Sequence, residues 1–322
     1  MSLGLGLDVG ASWIKALIGD KKKIIARVKR PTYKGPNPTL FVERVLETIF
    51  DIPQELLKSI SAVGIGTIGP LDIKTGTINP VNVRAKNIPL AKILNATLKM
   101  PIYFANDCLA AVIGEWFYGK GKGFDNVVYI TISTGIGGGV IVDGRPLLGK
   151  DGNAHEIGHI VLEQKSRIRC GCGGHGHWEA LASGSGIWNT ALEIFKDYKG
   201  PFTPLSERLS RKERVSAKDI YEARNKGDAL ASMIVEKCNG IHAAGIASVI
   251  NSYDPEVVII GGSIPINNPY MVDRIKDLVG KYITNRMPEI VLTDFKEDVV
   301  MMGGLAIVFE DFWGKDKMLF KG

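Results

Sequence analysis

Residues 127–148 read VVYITISTGIGGGVIVDGRPLL, and this stretch determines which fold the sequence predicts. The apolar run Val127–Ser133 predicts a buried strand, and the glycines after it predict a turn lined by backbone amides. A second strand, a turn at Asp143 and Gly144, and a third strand at Arg145–Leu148 follow. The stretch therefore predicts three antiparallel strands with a phosphate-suited turn after the first.

The chain opens with the same order of elements. Leu3–Val9, Trp13–Gly19 and Ile24–Lys29 are predicted strands, and the first turn contains Gly10 and Ala11. A chain of 322 residues is long for one hydrophobic core. Length and repetition together predict an internally duplicated α/β protein with one phosphate turn in each half.

Both turns suit a nucleotide triphosphate. Asp8 ends the first strand, where a carboxylate can hold hydrated Mg²⁺, and nearby amides can meet phosphate oxygens. Counted from Gly135, a dinucleotide fingerprint would need glycine where Val140 stands, and a strand follows instead of a helix. Gly261 and Gly262 follow a predicted strand. Glycines there would let adenine and ribose approach the backbone, or they form an ordinary strand-to-helix turn. The predicted nucleotide-binding residues are Asp8, Gly10, Ala11, Ser12, Thr134, Gly135, Gly137, Gly138, Gly261 and Gly262.

The composition excludes several classes of protein. Lysine and arginine number 40 against 34 aspartates and glutamates, and the excess of +6 is scattered, which favours nucleotides and does not indicate nucleic acid. Four cysteines do not resemble a disulfide framework and predict a reducing cytoplasm. No apolar run approaches the ~20 residues of a membrane helix, so no membrane partner is expected.

The densest group of metal-binding residues lies at His155–Gly184, which holds four of the five histidines and two of the four cysteines. His155, Glu156 and His159 match H-E-x-x-H, the helical motif of zinc peptidases, but Gly158 and the β-branched residues after it argue against a helix. A zinc peptidase remains a minor alternative.

A closed zinc site is the stronger prediction for this stretch. Two thiolates and two imidazoles favour tetrahedral, structural zinc, which would brace the loop without performing chemistry. Glu156 and Glu179 are then left to bind sugar hydroxyls, or they are surface and capping acids. The predicted zinc ligands are His159, Cys170, Cys172 and His177.

The junction after strand Pro101–Ala105 carries a candidate catalytic residue. Asp107 follows Asn106 at the start of a predicted helix, where it can be a cap or first-turn acid. It can also be a general base directed into a cleft, and the two roles do not exclude each other. Further along, helices are predicted at residues 184–198 and 228–253, and Gly303 and Gly304 are expected to open a final helix, Leu305–Phe312.

Taken in order, these motifs resemble the ROK family of sugar kinases, which includes glucokinases and N-acetylhexosamine kinases. The matching elements are two phosphate turns, an Asn-Asp pair, a Glu-x-Gly-His element and a zinc loop. They read DVGAS from Asp8, STGIGGG from Ser133, ND at Asn106, EIGH from Glu156 and CGCGGHGHWE from Cys170.

The resemblance implies an actin-like ATPase fold of two ribonuclease-H-like lobes around a cleft, with a structural zinc loop. The expected lobes are residues 1–118 plus 303–322 and residues 119–302. Asp107 would be the catalytic base, and ATP, Mg²⁺ and structural Zn²⁺ would be the cofactors. The implied sugar ligands are Asn82, Asn106, Asp107, Glu156, His159 and Glu179.

This sequence departs from the family pattern at several positions. His177 replaces the last zinc cysteine, and Ser133 replaces the first glycine of the second turn. Residues 11–13 are Ala-Ser-Trp where Gly-Thr-Lys is usual, and Lys15 cannot be assumed to replace that lysine. The loop after Asn82 is about one residue shorter than in typical glucokinases, so the resemblance does not determine which sugar is preferred.

The expected function is transfer of the ATP γ-phosphate to the 6-hydroxyl of a hexose by a glucokinase or hexokinase. A kinase of N-acetylglucosamine or N-acetylmannosamine is the alternative, and a non-catalytic sugar sensor is a minor one. A homodimer or homotetramer is expected because these states are usual in the family.

Overall fold

The computed structural model of the protein describes residues 3–80, 82–150, 152–312 and 314–320. The strands are β1 (Leu3–Val9), β2 (Trp13–Gly19), β3 (Ile24–Pro31), β4 (Ile60–Thr67), β5 (Leu71–Asp72), β6 (Thr77–Ile78), β7 (Ile102–Asn106), β8 (Val127–Ile132), β9 (Ile136–Val142), β10 (Arg145–Pro146), β11 (Val257–Gly261) and β12 (Glu289–Leu292).

The α-helices lie between and after these strands, with 3₁₀ turns at Ile157–His159 and Lys296–Asp298. They are α1 (Pro38–Phe50), α2 (Gln54–Leu57), α3 (Leu90–Leu98), α4 (Asp107–Tyr118), α5 (Trp178–Ala182), α6 (Ile187–Lys196), α7 (Pro204–Ser210), α8 (Ala217–Asn225), α9 (Ala229–Tyr253), α10 (Ser263–Asn267), α11 (Tyr270–Val279), α12 (Val299–Phe309) and α13 (Lys315–Met318).

Two five-stranded sheets have the same strand order. The first runs β3-β2-β1-β4-β7, with β1 antiparallel to β2 and parallel to β4. The second runs β10-β9-β8-β11-β12. In each sheet the first three strands are placed in reverse order, and two later strands extend the other side. This repetition confirms the predicted duplicated α/β fold.

The first sheet alternates large and small residues because successive side chains of a strand point to opposite faces. Leu5 and Leu7 are fully buried and belong to one cluster with Phe41 of α1. Burial of a ring such as Phe41 contributes about 1.5–3 kcal/mol. On the opposite face, a Cβ atom at Gly6 would lie 2.2 Å from the carbonyl oxygen of Met301, so α12 rests directly on the strand.

The prediction that Gly303 and Gly304 open the final helix is wrong. Helix α12 begins at Val299, and both glycines lie inside it. A Cβ atom at Gly303 would lie 1.7 Å from the carbonyl oxygen of Ala110 in α4. The glycine pair therefore permits close packing of α12 on α4, a role that a helix start does not require.

The helix predicted at residues 184–198 is confirmed as α6, Ile187–Lys196, which begins three residues later and ends two residues earlier than predicted. The chain forms α5 and α6, and residues 183–186 between them are not helical. Gly184 donates its amide to the carbonyl oxygen of Ser133 at 2.7 Å, and the Ser183 hydroxyl accepts from the Gly186 amide at 2.9 Å. Because these amides bind elsewhere, they cannot continue a helix.

The chain divides into two compact units. Unit 1 comprises Met1–Tyr129, Gly139–His155 and Thr293–Gly322, and unit 2 comprises Ile130–Gly138 and Glu156–Leu292. The predicted lobe boundaries near residues 118 and 303 stay a prediction. Among the residues that the structure describes, no helix has both the length and the apolar character needed to cross a membrane.

Candidate active site

Phosphate turn 1 (Gly10–Ser12) joins β1 to β2 in unit 1. The amide of Gly10 donates to the carbonyl oxygen of Trp13 at 3.0 Å, which closes the turn. Within the described residues, the amides of Ala11 and Ser12 have no hydrogen-bond partner. Successive unpaired amides in a turn form a concave donor site for anions, as the sequence predicts.

Asp8 lies beside turn 1 and pairs across the strands with Lys15. The ammonium group of Lys15 is 3.4 Å from Oδ2 of Asp8 and donates to the carbonyl oxygen of Glu297 at 2.6 Å. Burial raises the pKa of Asp8 to about 7, the Lys15 charge opposes this rise, and the charge of Asp107 adds to it. The lysine thus compensates the carboxylate only in part.

Asp107 is the first residue of α4, and Asn106 is its cap. The side chain of Asn106 accepts from the amide of Cys108 at 2.9 Å, and Oδ1 of Asp107 accepts from the same amide at 2.8 Å. The choice left open by the sequence is thereby resolved locally: Asn106 caps the helix and Asp107 is a first-turn acid. That position does not conflict with a role as a base.

The sheet register brings Asp8 and Asp107 to one edge. Asp8 pairs with Gly66 of β4, and Gly66 pairs with Ala105 of β7, two residues before Asp107. Only β4 separates β1 from β7 in this sheet, so both residues lie at the carboxyl end of these parallel strands. Two acids from distant parts of the sequence therefore share the carboxyl end of the first sheet.

Asn82, the predicted sugar ligand of unit 1, is exposed in the loop between β6 and α3. The amide of Asn87 donates to the side-chain oxygen of Asn79, and the Lys86 ammonium donates to the carbonyl oxygen of Pro80, both at 2.6 Å. These bonds close the loop on itself and leave Asn82 at its surface.

Phosphate turn 2 (Ser133–Gly135) joins β8 to β9 in unit 2. The carbonyl oxygen of Thr134 accepts from the amide of Ser185 at 3.0 Å and from its hydroxyl at 2.8 Å. The amides of Thr134 and Gly135 find no partner among the residues described. Turn 2 thus presents two successive donors, as turn 1 does, whereas Gly137 and Gly138 lie within β9.

Glu179 connects turn 2 to the zinc loop. Its Oε2 accepts from the amide of Ile136 at 2.9 Å, and its Oε1 is 3.8 Å from the Cys170 thiol. Helix α5, which carries Glu179, is anchored by Trp178, whose indole donates to Nδ1 of His242 at 3.1 Å. Burial lowers the pKa of His242 to about 3, so the imidazole is neutral and can accept this bond.

The structure brings the four predicted zinc ligands together. One ligand atom from each lies within 4.8 Å of all the others, and Cys172 Sγ is 3.3 Å from Nδ1 of His177. Tetrahedral zinc with bonds of about 2.0–2.3 Å requires ligand atoms a little under 4 Å apart, so modest adjustment would close the site. The set is His159, Cys170, Cys172 and His177.

His159 is oriented by Glu156. Its Nδ1 lies 2.9 Å from Oε2 of Glu156, and this hydrogen bond raises the pKa of His159. The other ring nitrogen is then left for a metal, the arrangement in which a carboxylate fixes a metal-bound histidine. The segment forms only the 3₁₀ turn Ile157–His159, so the helix that a zinc peptidase needs is not formed there.

A cavity of about 790 Å³ opens beside turn 2 within unit 2. It is lined by Thr134 and Ser263, with the aromatic side chains of Trp188 and Tyr221. Gly262, with a φ of +93°, borders the same region, and its backbone packs so closely on Ile132 that a side chain would clash. Pockets of about 300–1,000 Å³ accept ligands of nucleoside size.

Sequence reasoning missed part of this cavity. Trp188 comes from α6 and Tyr221 from α8, and neither residue belongs to a recognisable motif. Their apolar spacing is typical of any amphipathic helix. Only the packing of these helices beside turn 2 identifies them.

The comparisons with known proteins agree with this geometry. The sequence model of the ROK family matches residues 4–310. A glucokinase of Pyrobaculum calidifontis is 37% identical over 313 residues, which is 96% of each chain.

Two solved structures are similar throughout. The ROK hexokinase from Thermus thermophilus has a TM-score of 0.80 at 28% identity, over 94% of this chain and 97% of that one. The ROK family glucokinase from Streptomyces griseus, in complex with glucose and AMPPNP, has a TM-score of 0.77 at 26% identity, over 94% and 98%. Because family, relative and structures all match nearly the whole length, this protein belongs to the ROK family.

Proposed function

We propose that this protein is an ATP-dependent glucokinase that transfers the γ-phosphate of ATP to the 6-hydroxyl of a hexose. The observation that carries the proposal is the pair of phosphate turns, with Asp107 at the same sheet edge as turn 1. The full-length similarity to a glucokinase and to a structure binding glucose and AMPPNP supports the choice of acceptor and donor.

Asp107 is the proposed catalytic base. It accepts the proton of the sugar hydroxyl as the oxygen forms its bond to the γ-phosphorus, and the bond to the bridging oxygen breaks to release ADP. In unit 2, the amides of turn 2 are donors for phosphate oxygens, and the cavity beside that turn binds the nucleoside. In unit 1, the amides of turn 1 are likewise donors for phosphate oxygens. Asn106 positions the base because it caps the helix on which Asp107 lies.

Asp8 is the proposed residue for hydrated Mg²⁺. The residues fit a divalent cation, because a carboxylate with only 13% of its side chain exposed lies near a second acid, and a cation would offset that charge. When bound there, Mg²⁺ would neutralise charge on the transferred phosphoryl group.

The four-residue cluster is the proposed site of structural zinc. Its sulfur and nitrogen donors fit the metal, and a closed shell leaves no position for a reacting water. Zinc would fix the loop that carries His159 and, through it, Glu156. With both ring nitrogens of His159 engaged, we propose that His159 orients Glu156 more than it contacts the sugar.

The remaining candidate sugar ligands are proposed for each unit separately. Glu156 and Glu179 suit the hydrogen bonding of adjacent hydroxyls because carboxylates accept two or more such bonds. Asn82 and Asn106 are the proposed ligands from unit 1. A cytoplasmic location, a homodimer or homotetramer, and the lack of nucleic-acid and membrane partners stay predictions.

The test is sugar-stimulated release of ADP, measured for glucose, mannose, fructose, N-acetylglucosamine and N-acetylmannosamine. We expect glucose to give the largest kcat/KM. Preference for an N-acetylhexosamine would favour the alternative kinase. Sugar binding without ADP release would replace the proposal by a non-catalytic sensor.

A further inference from the structure

The segment Thr32–Lys34, directly after β3, covers one side of phosphate turn 1. The hydroxyl of Thr32 donates to the carbonyl oxygen of Gly10 at 2.8 Å, and its amide donates to the carbonyl oxygen of Ser12 at 3.0 Å. The ammonium group of Lys34 donates to the carbonyl oxygen of Ala11. All three carbonyl groups of the turn are therefore bound by two residues of one segment.

Thr32 and Lys34 differ in exposure. Thr32 is 5% exposed and belongs to the interior, so it fixes the segment against the turn. Lys34 is exposed, and its side chain only bends back to reach a backbone oxygen. A long flexible side chain in this position can leave that oxygen for a stronger partner, since charge-assisted bonds to phosphate exceed bonds to a neutral carbonyl.

The other cations near turn 1 are already engaged. Lys15 lies between the carboxylates of Asp8 and Glu297, and the ammonium group of Lys29 lies over the ring of Trp13, 5.2 Å from its centroid. Lys34, by contrast, has no carboxylate within ion-pair distance in the described part of the chain. It is a cation beside the turn whose charge no acid compensates.

We infer that Lys34 is a phosphate-binding residue: its ammonium group leaves the carbonyl oxygen of Ala11 and binds the anionic phosphate chain of the donor nucleotide at turn 1. The inference rests on the proposed nucleotide-binding role of the turn. The amides of Ala11 and Ser12 are neutral donors to the phosphate. Lys34 adds a positive charge, which Lys15 cannot supply because its charge is paired with Asp8. Thr32 is the positioning residue that keeps Lys34 within reach.

The deciding variant is Lys34→Gln, because an amide can still donate to the carbonyl oxygen of Ala11 but carries no charge. We expect its Kd for Mg·ATP to rise about 10- to 100-fold, the usual worth of a charged hydrogen bond. Lys34→Arg should recover most of the affinity, and the Kd for AMP, which lacks the outer phosphates, should stay within about twofold. Binding is measured by titration calorimetry on the full chain.

The matched control is Lys92→Gln, which removes an exposed lysine of α3 in the same unit. It should leave the Kd for Mg·ATP unchanged. An unchanged Kd in Lys34→Gln, or equal losses for ATP and AMP, would overturn the inference. Failure of the proposed function is a separate result, because it appears as a lack of sugar-stimulated ADP release by the unmodified protein.

Discussion

Phosphate turns 1 and 2 offer the same backbone donors in different electrostatic surroundings. Turn 1 is flanked by the acids Asp8 and Asp107 and by two lysines. At turn 2, a serine hydroxyl binds a carbonyl oxygen, and Glu179 accepts from the amide that follows the turn. Amides are enough to hold phosphate, whereas metal binding and proton transfer need charge. We therefore assign metal binding and proton transfer to the edge of turn 1.

The divergence is visible at equivalent strand positions. Asp8 is the next-to-last residue of β1, and Thr131 is the next-to-last residue of β8. A carboxylate stands in one copy and a hydroxyl in the other, although the two sheets have the same strand order. Duplication preserved the backbone of the turn, and substitution of single side chains made the halves unequal.

The largest expected effect comes from removing the negative charge of Asp107, the proposed base at the carboxyl end of the first sheet. Asp107→Asn should lower kcat by about 10²- to 10⁴-fold, the usual contribution of a general base, while the Kd for hexose stays near that of the unmodified protein. Steady-state kinetics and sugar titration measure the two quantities. Glu43→Gln, an exposed acid on α1, is the matched control and should retain full activity. Turnover of Asp107→Asn near that of the control would remove the base assignment.

On the unit 2 side, Cys170→Ser should remove zinc and lower the thermal midpoint. Binding of structural zinc is coupled to folding, so loss of one thiolate ligand should lower both the zinc affinity and the stability of the fold. Metal analysis of the unmodified protein should give about one zinc per chain. Cys238→Ala, which changes a buried cysteine outside the cluster, should keep its metal. If Cys170→Ser retained its zinc, Cys170 would not be a ligand.

The acid at turn 1 predicts a pH dependence that turn 2 cannot produce. Asp8 must be ionised to hold Mg²⁺, and its pKa of about 7 means that protonation competes below that pH. At saturating hexose, kcat/KM for Mg·ATP should fall toward tenfold per pH unit below about pH 7. More Mg²⁺ should shift the midpoint to lower pH, and a flat profile would contradict the assignment.

The same group has the opposite effect on the stability of the metal-free protein. Its pKa is raised in the folded state, so the neutral acid is favoured there. The stability that it contributes is present at low pH and is lost as the pH rises from the usual 3.8 toward about 7. Unfolding by urea at several pH values, without metal, measures this change.

The smallest expected effects come from removing one side-chain hydrogen bond to each turn, and they compare how much each bond contributes to ATP affinity. Thr32→Val removes a hydroxyl bond to turn 1, and Ser185→Ala removes one to turn 2. Each bond contributes about 0.5–1.5 kcal/mol, so each variant should raise the Kd for Mg·ATP by about two- to tenfold. A marked inequality between the two variants would show that one turn supplies most of the phosphate affinity.

Elements with a local signal were predictable from the sequence. The strands around each turn follow from apolar runs between glycines, and the zinc ligands follow from the spacing of cysteines and histidines. The glycines of α12 were misread because Gly-Gly interrupts a helical pattern in sequence but serves close packing in space. The non-helical residues 183–186 between α5 and α6 are held by hydrogen bonds to turn 2. Lys34 reaches turn 1 only because β3 runs back alongside β2 and ends beside the turn. Such contacts join segments far apart in the chain and leave no local pattern.

Helix α12 sets the order in which the protein can be completed during synthesis. It packs on β1, β4 and α4, all of which leave the ribosome much earlier. Both segments of unit 2, Ile130–Gly138 and Glu156–Leu292, precede α12 in the chain, so unit 2 can fold before α12 is made, since domains generally fold as units once their residues are available. The sheet face beneath Asp107 has to wait for Val299–Phe309. A nascent chain stalled before that segment would expose the glycine-lined face of the first sheet, and premature termination there would leave no functional kinase.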